Sequence, residues 1–78
     1  MPRILFINGF RFFFFSNEQN EPPHIHIAKG EGYAKYWIEP DVALAENIRF
    51  NNHDLSEIRK IILENLEELK EAWHGFFG

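Results

Sequence analysis

Apolar positions crowd around a single turn dipeptide near the start of the chain. In "RILFINGFRFFFFS" (3 to 16), β-branched and aromatic residues flank Asn8-Gly9, a pair that accepts the positive backbone angles of a two-residue hairpin turn. That turn predicts a β-hairpin over residues 3–16, with Ile7 facing Phe10, Leu5 facing Phe12 and Arg3 facing Phe14. Ile4, Phe6, Arg11, Phe13 and Phe15 then share the opposite face. Both faces are mostly apolar, so the hairpin is either covered on both sides or offers one side to another chain.

Further along, "SNEQNEPP" (16 to 23) reads as a loop closed by two prolines, and "HIHIAK" as a strand over about 24–29. "KGEG" turns the chain, and "YAKYWIEP" returns as a strand over about 33–39 until Pro40 breaks it. "DVALA" is a short fifth strand or an irregular crossing, and its pattern fits both. A helix follows over about 52–74. Asn51 and Asp54 have the spacing of a capping box, Phe50 and Leu55 that of a hydrophobic staple. Leu55, Ile58, Ile62, Leu66, Leu69, Trp73 and Phe76 form one stripe at steps of three or four, and Gly75 or Gly78 can end it. The expected fold is α+β, an antiparallel meander of four to five strands with one long C-terminal helix packed on one face.

The length of 78 residues changes this picture little, since it suits one small domain whose core is near the lower limit for independent stability. Such a domain gains from a partner or a homodimer. Without cysteine there is neither a disulfide framework nor a thiolate metal site, and the cytoplasm is the default compartment. No stretch has the length and apolarity of a membrane span, and "MPRILFINGF" lacks the layout of a signal peptide.

Charge narrows the partners. The formal net charge of −4 disfavours broad nucleic-acid binding, which needs a basic stripe. Its distribution is uneven: residues 1–38 hold four basic and three acidic side chains, residues 39–78 four basic and nine acidic. An anion would be met by the first half, and a basic partner by the second.

Candidate chemistry centres on "PPHIHI" (22 to 27). Alternation sends Ile25 and Ile27 to the core and His24 and His26 to the outer face, their α-carbons about 6 to 7 Å apart. Four readings fit that pair, one of them a histidine-lined protein interface. It is two ligands of a metal site, for which the sequence fixes no third member among Glu39, Asp41, His53 and His74. It is a general acid and base for RNA cleavage, with Arg11, Arg3 or Lys35 stabilising the phosphate. Or the histidines are partly exposed strand residues stacked on Phe13, Tyr36 or Trp37. Tyr33, Tyr36 and Trp37 could stack bases but suit packing better, and no glycine-rich phosphate loop or nucleophile elbow indicates a cofactor or a nucleophile.

The combination of "MPRILFINGFRFFFFSN", "EPPHIHI", "AKYWIEP", "VALAEN" and "LKEAWHGFF" resembles the small bacterial domain of unknown function 4160 family across nearly the whole chain. That resemblance implies an encoded neighbour, a second small protein, in a gene pair of the toxin-antitoxin type, with this chain as the toxin-like half. The family pattern highlights His24 and His26 with Glu21, Pro22 and Pro23 before them, and it supplies no catalytic assignment. The loop "NEQNEPP" departs from the commoner Asp-His-x-Pro-Pro form and lacks its aspartate and histidine.

Overall fold

The computed structural model describes residues 3–15 and 20–77, and only the backbone of Arg3 and Ile4. The expected loop positions 16–19, the Arg3 guanidinium and Gly78 as a helix stop lie outside the described residues.

Among the described residues five antiparallel strands form one sheet in chain order: β1 (Arg3–Ile7), β2 (Phe10–Phe13), β3 (His24–Lys29), β4 (Gly32–Trp37) and β5 (Ala43–Ile48). Asn8 and Gly9 both take positive φ, 53° and 83°, as the hairpin turn requires. Ile7 then meets Phe10 and Leu5 meets Phe12, but an irregularity between Arg3 and Leu5 places Arg3 opposite Phe13 instead of Phe14. The ambiguous "DVALA" region resolves into β5, the outer strand beside β4.

Two helices follow where the sequence predicts one: α1 (Asn52–Glu64) and α2 (Leu66–Phe77). Asn51 caps α1, its side chain accepting from the Asp54 N–H while the Asp54 carboxylate accepts from the Asn51 N–H. The break lies at Asn65, whose backbone leaves the helical region at φ −120° and ψ 19°. Its side-chain Nδ2 donates to the Ile61 carbonyl at 2.8 Å, so a local polar side chain competes for a helix acceptor. Hydrogen bonding resumes when the Leu69 N–H donates to the Asn65 carbonyl.

Residues from both helices join one core with the sheet. Phe10, Phe12, Ile25, Ile27, Ala34, Tyr36 and Ile38 pack there against Ile58, Ile61, Ile62, Leu69 and Trp73. Ile25 and Ile27 are fully buried, as the alternation predicts. Phe14, just past β2, packs edge-on against Trp73 and tilted against Phe76 and Phe77, tying the end of α2 to the hairpin. Among the described residues no helix is long and apolar enough to cross a membrane.

Tyr36 gives this core a pH signature. Its hydroxyl donates to the Leu55 carbonyl at 3.3 Å, and burial pushes the phenol above its ordinary value of 10.0, partly opposed by the nearby Arg59 charge. In alkali the unfolded chain therefore loses this proton before the folded chain does. Stability attributable to Tyr36 is complete below the unfolded value and declines as pH rises toward the folded one. Denaturant titrations between about pH 9 and about pH 11 should show a steeper loss for the wild type than for Tyr36→Phe. Parallel losses would contradict this assignment.

Candidate functional site

The sequence singles out His24 and His26, and the structure places them together but not on an exposed surface. They are 0% and 3% exposed. Their rings meet edge to face with centroids 5.0 Å apart. His26 stacks between Phe13 at 5.6 Å and Tyr33 at 5.8 Å, with Phe15 tilted against it at 4.6 Å. His24 contacts Trp37 at 5.6 Å and Trp73, from α2, at 4.9 Å. Expectation and structure differ because aromatic side chains from the hairpin, from β4 and from the far end of the chain close over the outer face. Of the stacking partners expected for the histidines, Phe13 and Trp37 are present, whereas Tyr36 belongs to the helix-facing core.

Hydrogen bonds orient both imidazoles. His24 Nδ1 lies 2.9 Å from the Pro22 carbonyl, which can only accept, so this nitrogen donates. His26 Nδ1 lies 2.6 Å from the Tyr33 hydroxyl. The proline pair thus has a polar function: Pro22 presents its carbonyl to the first histidine, while the Pro23 carbonyl accepts from the Ile38 N–H.

Around this box runs a short polar rim. Lys35, opposite His26 in the β3–β4 register, donates to Glu21 Oε1 at 2.6 Å and lies 4.7 Å over the Trp37 ring. The same Glu21 oxygen is 3.9 Å from His24 Nδ1. Lys35 is therefore the cation nearest the pair in register. Arg11 is exposed on β2 opposite Ala28, two residues along from Phe13, the direct partner of His26.

Such a pair has the elements of acid–base chemistry, but a general base must come within hydrogen-bond reach of its substrate, and rings buried among aromatics do not. For a metal, the donor set matters more. Among the described residues no group of three or more His, Asp or Glu side chains could hold an ion. His74, a possible third ligand from the sequence, instead donates through Nε2 to Glu39 Oε2 at 2.7 Å.

A second feature lies beside the box and was much less visible in the sequence. β5 ends the sheet, and Leu44 and Ile48 remain 46% and 47% exposed on it. Its sequence "ALAENI" contains neither the proline nor the lysine that commonly protects an edge strand. At its start Ala43 pairs directly with Trp37. There Pro22, Trp37, Glu39, Pro40, Asp41 and Ala43 line an open depression of about 330 Å³. One aromatic wall and two carboxylates suit a cation. Only the acidic excess after residue 38 pointed toward it in the sequence.

No curated protein and no solved structure matches the chain. A family model does match, over residues 9–74, running from the second turn residue through the histidine strand, the acidic depression, β5 and the helices to His74. The chain belongs to the family described as Domain of unknown function (DUF4160).

Proposed function

We propose that this protein works by binding a small protein partner, as the toxin-like member of a two-gene pair, with His24 and His26 holding the fold and not performing chemistry. The observation that carries this reading is β5, an outer strand whose apolar residues Leu44 and Ile48 stay about half exposed. An outer strand edge offers a row of backbone donors and acceptors to another chain. The burial of both imidazoles supports the reading from the other side, because it withholds the best chemical groups from solvent.

Co-expression with the product of the adjacent gene tests this. The two proteins should elute as one complex with a defined ratio, and the complex should survive His24→Asn, which keeps a donor near the Nδ1 position. A chain that stays monomeric in the presence of its neighbour would overturn the proposal.

A further inference from the structure

We infer that the partner presents an extended, basic segment that adds a sixth strand to the sheet along β5 and seats a lysine or arginine over Trp37, beside Asp41. This rests on the reading that the chain works through a protein partner, and it names the chemistry of the contact.

Position comes first. Among the described residues β5 pairs with β4 alone, and five of its six residues are exposed, so an added strand meets its other side without displacing a described element of the fold. Leu44 and Ile48 supply the apolar contacts that side chains of such a strand would cover. The added strand would run two strand spacings from β4, about 9 to 10 Å. Between them, opposite Trp37, stands Ala43. A long side chain can lie across that small residue and bring its charged end over the indole, whereas a larger residue at 43 would block it.

Charge then selects the occupant. The depression at this end of β5 carries Glu39 and Asp41, and Glu46 stands on the strand itself. Glu39 is engaged by His74, so exposed Asp41 supplies the main attraction. Lys35, its charge paired with Glu21, lies 4.7 Å over the indole and shows that this ring accepts a cation, and the incoming charge takes the side of the ring that lines the depression with Asp41. A second copy fits the edge less well. Antiparallel self-pairing about the middle of β5 brings the two Glu46 side chains within about 5 to 8 Å of each other, an unfavourable like-charge contact.

The test uses the full chain and two acetylated, amidated eight-residue peptides of alternating valine and threonine, one ending in two arginines and one ending in two glutamates. In amide NMR titrations the arginine peptide should shift Ala43–Ile48 and the Trp37 indole, and bind at least tenfold more tightly than the glutamate peptide. Asp41→Lys, a change at an exposed loop position, should abolish that preference while the spectrum keeps its folded dispersion. Equal binding of the two peptides, or shifts confined to the exposed Glu67, Glu68 and Glu71 of α2, would overturn the inference. The peptide and co-purification results separate the two proposals. Loss of the peptide effect with the neighbour complex intact removes this inference alone. A peptide effect without a neighbour complex keeps the edge site and removes the gene-pair partner.

Discussion

Gly32→Ala should destabilise the protein by about 3 kcal/mol, lowering its melting temperature by roughly 12 to 24 °C, although it adds a single methyl group. Gly32 opens β4 without a positive φ, so the glycine is not required by backbone conformation. Space requires it. A β-carbon there would lie 2.3 Å from Cε1 and 2.5 Å from Cδ1 of Phe50, well inside contact distance. The ring cannot easily retreat, because it packs edge-on against Phe10 at 5.8 Å. Its backbone is also held at both ends by Asn47, whose side chain accepts from the Phe50 N–H and donates to the Phe50 carbonyl. For a domain with total stability on the order of 5 to 10 kcal/mol the loss is large. Chemical denaturation of Gly32→Ala, Phe50→Leu and the double variant checks the cause. The double variant should be more stable than the sum of the single effects allows, since the smaller side chain relieves the clash. Strict additivity would contradict a direct contact.

His24→Ala carries the second large effect, about 3 kcal/mol, and here stability and any partner-dependent activity should be lost together. The substitution removes a fully buried ring from contact with His26, Trp37 and Trp73, and it deprives the Pro22 carbonyl of its donor. His24→Asn keeps a donor of similar reach and loses part of the ring, so it should fall between the wild type and alanine. A catalytic histidine would behave differently. Its alanine and asparagine variants would both be inactive at nearly unchanged stability, and that result would restore the acid–base reading.

What could be read from the sequence was local. Asn8-Gly9 determines its turn within two residues, Asn51 and Asp54 cap α1 within one turn, and the alternation in "HIHI" separates Ile25 and Ile27 from the histidines. The unforeseen features depend on partners far along the chain. His24 is enclosed by Trp73, 49 residues later, and its expected exposure failed because alternation identifies a face without revealing what covers it. Likewise, Gly32 reads as a turn glycine until Phe50 is placed against it. The break at Asn65 interrupts an apolar stripe that continues smoothly through it, since the cause is one side-chain amide and not a change of period. β5 was ambiguous for a physical reason: it is exposed on most of its length, so no alternation of buried and exposed positions marks it.

The same property makes β5 the feature on which the functional account depends. Hydrogen–deuterium exchange of the full chain, alone and mixed with the product of the adjacent gene, tests it most directly. Amides of Ala43–Ile48 should exchange several-fold more slowly in the mixture, while those of His24 and His26 stay as they are in the free protein. Unchanged exchange along β5, or protection centred on the histidine strand, would contradict the account.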